Sequence, residues 1–231
     1  MEIKILQSAD EVASQAAYLI ADLIRENVAK KGFFTMAISG GRTPWEMIKV
    51  LAQENLPWEK VHVFQVDERI APDGNADRNL TQLFQTIQGT RLMTRLNIFP
   101  MPVIAANLEE ACVEYAQHIQ EVTQNGKLDL VHLGMGSDGH TASLIPGDSV
   151  CEVMDQDVAL TTSPYQGRDR MTLTYPLINR AEKILWLVTG AEKAAMLQRL
   201  LNSDPEIPAG KVAQDQAIIL ADEAAAANLK L

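Results

Sequence analysis

The sequence predicts an α/β fold, a mostly parallel sheet flanked by helices, and three observations predict it. Short apolar runs alternate with longer amphipathic stretches, the pattern of strand-helix-strand units. The runs are apolar at nearly every position, as strands covered on both faces require. The loops richest in glycine and special polar residues directly follow those runs.

Taken in order, a weak first strand near 3–6 leads into a helix at 10–30. There Val12, Ala16, Leu19, Ile20, Leu23 and Ile24 share one face at 3.6 residues per turn, and Ser8 or Asp10 can cap the start. The strand at 34–38 is followed by a helix at 44–53, with Thr43 placed to cap it and Pro44 in its first turn. A strand at 61–66 precedes a helix at 77–87. The helix at 108–123 leads to a strand at 128–133, and a weaker strand lies at 158–162. The strand at 184–188 feeds a helix at 191–201, and a strand at 217–220 and a short helix at 222–228 follow. Pro100-Met-Pro102 and Pro205-Glu-Ile-Pro208 read as loops because neither is long or low in complexity, so one domain over 1–231 is expected.

Composition excludes several functions. With 47% apolar and 22% charged residues in a chain of 231, disorder, collagen and coiled coil do not fit. Thirty acidic residues against 20 Lys and Arg give a net charge of -10, which repels nucleic acid and anionic membranes on average; neither is expected as a partner. Any anionic ligand therefore needs a local basic pocket. Cys112 and Cys151 lack a Cys-x-x-Cys spacing, which speaks against a disulfide framework and a thiolate metal site and fits a reducing compartment. The Met1-Glu2-Ile3-Lys4 start lacks a leader pattern and no apolar run nears the ~18 residues of a membrane span, so the cytoplasm is the expected location.

The chemistry collects in four loops that each follow a strand: Ser39-Gly-Gly-Arg-Thr-Pro44, Asp67-Glu-Arg69, Gly134-Met-Gly-Ser-Asp-Gly-His140 and Gly190-Ala-Glu-Lys193. In an open parallel sheet such loops line one edge, where ligands bind. Ser39 to Pro44 runs into a helix through Gly40 and Gly41, so its amides and the helix N-terminus can cradle a phosphate. The same residues read equally as a turn with a good helix start. Gly134 to Gly139 satisfies G-x-G-x-x-G, but Pro146-Gly147 interrupts the helix that a dinucleotide site needs, and Asp67 precedes the glycines instead of following them. No nicotinamide cofactor is expected.

Of four histidines, His62 and His132 sit in apolar strands and read as packing residues, and His118 lies on a polar helix face. Only His140 stands in a glycine loop at a strand end, where an imidazole can act as a general base near neutral pH. No second His or Cys lies at a ligand spacing from it, so no metal is expected. Arg42, Arg69, Arg170 and Lys193 fall at the presumed crevice edge and together would make a focused anion site.

At these residues the sequence resembles the 6-phosphogluconolactonase family through nearly the whole chain. Ser39-Gly-Gly-x-Thr-Pro44, Asp67-Glu-Arg69, Gly134-x-Gly-x-Asp-Gly-His140-x-Ala-Ser-Leu-x-Pro146, Arg170-x-Thr-Leu-Thr174 and Gly190-x-x-Lys193 occur in the family's order, the third being the specific one. Arg42 stands where Ser is common, and Arg78-Asn79 where Ser-Asn is usual. The resemblance implies the Rossmann-like sheet shared with glucosamine-6-phosphate deaminases, ribose-5-phosphate isomerases and CoA transferases. It implies hydrolysis of 6-phospho-D-glucono-1,5-lactone to 6-phosphogluconate, the second step of the oxidative pentose phosphate pathway, without cofactor.

The mechanism expected from that chemistry and resemblance has His140 deprotonate the attacking water and return the proton to the ring oxygen. No G-x-S-x-G elbow is present, so Ser39, Ser137 and Ser143 are poor nucleophiles. Arg170, Lys193 and the amides of Gly40 and Gly41 would grip the 6-phosphate, and Asp67 and Arg69 would orient sugar or water. Ser39, Arg42, Thr43, Gly136, Asp138 and Gly139 complete the expected substrate site. The small phosphosugar lactone is the expected partner, and a monomer the expected state. Two rivals exist. A deaminase usually carries Asp-Glu-Tyr where this chain has Asp67-Glu-Arg69, and Ile-Ala-Phe-Asn where it has Thr141-Ala-Ser-Leu144. A sugar-phosphate sensor would normally add a DNA-binding module, for which a first strand at Ile3 leaves no room.

Overall fold

The computed structural model describes residues 1–229; the expected domain of 1–231 extends over 230 and 231, which lie outside the described residues. Seven strands form one sheet in the order β1 (Glu2–Leu6), β10 (Ala217–Asp222), β9 (Lys183–Val188), β6 (Leu130–Gly134), β2 (Phe34–Ile38), β3 (Val61–Gln65) and β5 (Asn97–Phe99). Every neighbouring pair in it is parallel. A smaller antiparallel sheet joins β4 (Asp67–Arg69), β8 (Arg170–Leu173) and β7 (Val158–Leu160).

Strand periodicity divides the core between the two faces of the large sheet. Phe34, Met36 and Ile38 pack with α1 (Ala9–Lys31), α2 (Arg42–Leu51), α3 (Asn79–Ile87) and Leu92 of the one-turn α4 (Leu92–Arg95). Ala37 faces the other way, as do Ile184, Trp186 and Val188 of β9, toward α5 (Leu108–Thr123), α6 (Tyr175–Asn179), α7 (Ala194–Leu201) and the small sheet. Leu185 and Leu187 return to the first face. Trp58 and Trp186 are buried in these two layers and Trp45 packs against the first, so none is a free stacking platform.

Helix α1 shows how local chemistry sets the boundaries. Ser8 is its N-cap and its Oγ accepts from the Glu11 amide; Asp10 and Glu11 open the helix, Lys30 and Lys31 close it, and Gly32 takes the left-handed conformation after it.

The order places β2 and β6 side by side at the point where the chain reverses its direction of progress across the sheet, with β3 and β5 on one side and β9, β10 and β1 on the other. The loops after β2 and β6 diverge there and open a crevice at the carboxyl edge.

Several expectations need correction. Asp67–Arg69 is a short strand, not a loop, and the strands at Asn97–Phe99 and Arg170–Leu173 were not expected. The second helix starts at Arg42 with Gly41 as its N-cap, so Thr43 caps nothing; its hydroxyl bonds Thr189 Oγ1 at 2.9 Å. The helix expected at 191–201 is a 3₁₀ turn followed by α7. No helix forms at 222–228: β10 runs to Asp222 and turns follow, too short a segment to meet the cost of helix nucleation, with the Asp222 carboxylate accepting from the Ala225 and Gly190 amides.

Candidate active site

The loops after β2, β6 and β9, with strands β4 and β8, enclose a cavity of about 580 Å³ at the carboxyl edge. Ser39, Gly40, Gly41, Arg42 and Thr43 line it from the β2–α2 turn, Asp67 and Arg69 from β4, Gly136 and His140 from the β6 loop. Arg170 enters from β8, and Lys193 from the turn after β9. Eleven of the thirteen expected site residues therefore meet at one cavity. Asp138 and Gly139 do not line it; they stand behind the wall and shape it.

His140 is held from behind. Its Nδ1 lies 2.6 Å from Asp138 Oδ1, its amide donates to the same oxygen, and the Tyr165 hydroxyl lies 3.2 Å from Nδ1. A proton on Nδ1 directed at Asp138 leaves the Nε2 lone pair available as a base. Partial burial raises the Asp138 carboxyl, but the hydrogen bonds from His140 and Tyr165 outweigh it and hold the group below the usual carboxylate range. Gly136 is glycine because the imidazole lies on it: a Cβ there would meet His140 Nδ1 at 2.0 Å. Gly139, at a φ of +85°, passes so close to Ile207 that a Cβ would sit 2.7 Å from it.

Two of the cations are also fixed. Arg170 is buried; its Nη1 faces Asp67 Oδ2 at 3.7 Å, and Nη2 donates to the Tyr165 carbonyl and to Gln166 Oε1. Burial pulls the guanidinium below its ordinary pKa, Asp67 opposes that, and Arg69 adds to it. Arg69 donates to Asn79 Oδ1, and the Asn79 side chain lies against Gly40, where a Cβ would meet Oδ1 at 2.0 Å. Four cations, Arg42, Arg69, Arg170 and Lys193, line the cavity against two carboxylates, Asp67 and Glu192. In a chain of net charge -10 this is a local reversal of sign that favours an anion. The N-terminus of α2, uncapped by any side chain, lines the same space, and a helix N-terminus favours an anion.

Among the described residues no group of three or more His, Cys, Asp or Glu side chains is arranged to hold a metal ion. His132 is fully buried in β6, where Nδ1 accepts from the Ser39 amide; His62 is half-buried against Phe33 and Phe99, and His118 is exposed on α5.

Residues 7–220 match the family described as glucosamine-6-phosphate isomerases/6-phosphogluconolactonase. The chain belongs to this family. It is 33% identical to a 6-phosphogluconolactonase of Synechocystis, over 99% of this chain and 98% of that one. A 6-phosphogluconolactonase of Nostoc is 32% identical over 86% of this chain and 84% of its own length. The crystal structure of the 6-phosphogluconolactonase of Thermotoga maritima superposes with a TM-score of 0.82 at 26% identity, covering 96% of this chain and 98% of that one.

Within this isomerase/lactonase family the two departures have different fates. Arg42 faces the cavity. Arg78 turns inward instead, buried between Glu68, at 3.5 Å, and Asp73. Glu68 is itself fully buried and accepts from the amides of Arg69, Asn79 and Leu80 and from Gln65, so it binds β4 to the start of α3 and sets where Asn79 stands. Sequence reasoning missed Asn79, Ser143, Tyr165, Thr189 and Glu192. Ser143 and Glu192 lie inside the quoted motifs and Asn79 in the Arg78-Asn79 departure, which was the available signal for them; none marked Tyr165, which follows Pro164 in a loop.

Proposed function

We propose that this chain hydrolyses 6-phospho-D-glucono-1,5-lactone to 6-phosphogluconate, the second step of the oxidative pentose phosphate pathway, with His140 as general base. The observation that carries this reading is the meeting, in one cavity, of an imidazole anchored through Nδ1 to Asp138 with four cations and the α2 N-terminus.

His140 Nε2 takes a proton from the attacking water, and the imidazolium returns it to the ring oxygen that leaves the carbonyl carbon; such acid-base help is worth ~10²–10⁴ in rate. Arg170, Lys193 and the amides of Gly40 and Gly41 hold the 6-phosphate. That remote binding energy sets the carbonyl against the imidazole. Arg69 orients the sugar, with Asn79 fixing its guanidinium. Asp67 supports from beneath, its oxygens shared among Ser143, Asn79 and the face of Arg170. Ser39, Arg42, Thr43 and Gly136 form part of the remaining wall, and Asp138 and Gly139 keep the base in place. Two buried free thiols, Cys112 and Cys151, support a reducing location such as the cytoplasm. No described helix is long and apolar enough to cross a membrane.

The test is hydrolysis of freshly generated lactone with the spontaneous rate subtracted, for the native chain and His140→Ala, with EDTA in both. Native activity that persists in EDTA and collapses in the variant supports the reading. A His140→Ala chain with full turnover refutes the base assignment. Absence of native activity above background overturns the substrate, and ammonia release from glucosamine-6-phosphate is then the assay to run.

A further inference from the structure

The residue that joins the two halves of this cavity is neither a cation nor a base. Between β7 and β8 the chain makes a tight hairpin: Thr161 N bonds the Arg170 carbonyl, Tyr165 and Arg168 exchange both backbone hydrogen bonds, and Gln166 and Gly167 take φ values of +53° and +78°. Two successive left-handed residues make the type I′ turn that matches the natural twist of a hairpin. Arg168 clamps its flank by donating from Nε and Nη2 to Asp77, in the segment that precedes α3. The hairpin thus presents Tyr165 at one fixed place against His140 and Arg170, two residues that line the cavity.

There Tyr165 touches both functional groups with different parts of itself. Its hydroxyl donates to Asp138 Oδ2 at 3.0 Å and lies 3.2 Å from His140 Nδ1, with the two rings edge to face at 5.1 Å. The other Asp138 oxygen is the one that takes His140 Nδ1. One carboxylate is therefore gripped on both oxygens, by the imidazole and by the phenol. Burial and the neighbouring Asp138 raise the pKa of Tyr165, so the hydroxyl remains a donor. The ring lies under Arg170, whose Cζ is 5.1 Å from the ring centre, and the Tyr165 carbonyl accepts from Arg170 Nη2. A guanidinium against an aromatic face is a favourable and orienting contact.

We propose that Tyr165 is a positioning residue that aligns the general base through its hydroxyl and the phosphate-binding Arg170 through its ring and carbonyl. The assignment of base and phosphate roles rests on the lactonase reading; the contacts do not. The two functions are separable because they use different atoms. Tyr165→Phe removes only the hydroxyl, freeing Asp138 Oδ2 and ending the 3.2 Å contact with His140 Nδ1. A carboxylate that has lost a donor keeps more of its charge for the imidazole, which favours the imidazolium. Tyr165→Ala removes the support of Arg170 as well.

The charged groups around His140 are Asp138 on its own loop, bonded to Nδ1, and those that line the cavity with it: Arg170 from β8, Asp67 and Arg69 from β4, Arg42 from α2, and Glu192 and Lys193 from the turn after β9. Tyr165→Phe changes the Asp138 link and the direct 3.2 Å contact with His140 Nδ1 and leaves the other charged groups in place, so the pH response reads the hydroxyl.

The experiment has two arms. Histidine titration by NMR, with His140 identified by its loss in His140→Asn, needs no substrate: Tyr165→Phe moves the His140 midpoint upward, and an unmoved midpoint overturns the proposal whatever the enzyme acts on. Kinetics on the lactone form the second arm. Tyr165→Phe lowers kcat roughly tenfold, the size of one charged hydrogen bond, with KM within twofold and the acid limb of kcat/KM moved up. Tyr165→Ala lowers kcat at least as far and also raises KM severalfold. Equal KM in the two variants, or native kcat in Tyr165→Phe, overturns the proposal. A native chain inactive on the lactone sinks the substrate reading alone, and the NMR arm still decides the role of Tyr165.

Discussion

Ser143 Oγ donates a 2.6 Å hydrogen bond to Oδ2 of Asp67, tying the loop after His140 to the start of β4 across 76 positions of sequence. Both residues are buried, and the same Asp67 oxygen faces Arg170. One carboxylate thus holds together the loop of the base, the small sheet and the buried guanidinium.

Removing it therefore strands a charge. Asp67→Ala leaves Arg170 buried without its counter-ion and should cost about 3–5 kcal/mol of stability, since breaking a buried pair exposes the surviving partner's desolvation penalty. Ser143→Ala removes one donor to that carboxylate and should cost about 1–3 kcal/mol. Urea unfolding of both variants checks the order. A Ser143→Ala variant costlier than Asp67→Ala would contradict this account of the cluster.

Gly136→Ala tests the seat of the imidazole. The added methyl would fall 2.0 Å from His140 Nδ1 and 2.4 Å from Asp138 Oδ1, so the ring must swing away from its place. A displacement of that kind is worth on the order of 10²-fold in kcat when the base must meet a bound water at a fixed distance. The expected pattern is a large loss of kcat in a variant whose unfolding midpoint shifts little. Native turnover would show that the imidazole needs no such seat.

Lys193 is the cleanest of the cations to remove, because it is half-buried where Arg170 is enclosed. Lys193→Ala should lower kcat/KM on the phosphorylated lactone by roughly ten- to a hundredfold, through KM, the size of one charged contact to phosphate. On unphosphorylated glucono-1,5-lactone the same variant should match the native chain. Equal penalties on both substrates would remove Lys193 from the phosphate site.

What was legible in the sequence follows from how local each signal is. Strand β2 is five successive buried residues bounded by Phe33 and Ser39, and its expected limits are those found. Strands β4 and β8 are three and four residues long, and β4 reads Asp-Glu-Arg; it is a strand only because β8, a hundred positions later, pairs with it. No periodicity survives in so short a segment. Thr43 before Pro44 has the chemistry of a cap, yet Gly41 takes a φ of +136° that starts α2 earlier and frees the threonine for Thr189. Alanine-rich 222–228 has helix propensity, and Asp222 accepts from the Ala225 amide as an N-cap would, but a segment that short does not offset the cost of nucleation. The cavity was legible because glycines and cations at strand ends must converge in a parallel sheet. Tyr165 was not, because its place depends on a hairpin folding back over a loop 25 positions earlier.

His132 yields a prediction about stability and pH. Complete burial in β6 pushes its imidazole down to about 3, against an ordinary value near 6.5. Protonation would also turn Nδ1 from an acceptor of the Ser39 amide into a donor facing it. Above about pH 6.5 both folded and unfolded His132 are neutral, and the group contributes no slope. Between about 6.5 and 3 the unfolded chain binds a proton that the folded chain refuses, so stability falls as pH falls, by up to about 1.4 kcal/mol per pH unit. His62, half-buried and also lowered, by burial and by Lys60, adds to the trend in the same direction. A His132→Asn variant can still accept from Ser39 and carries no titrating group. Its stability, measured by urea unfolding from pH 7.5 to 4.5, should fall less steeply than that of the native chain. Parallel curves would show that His132 is protonated in the fold, and would break the link drawn here between its neutrality and the position of the Ser39 loop.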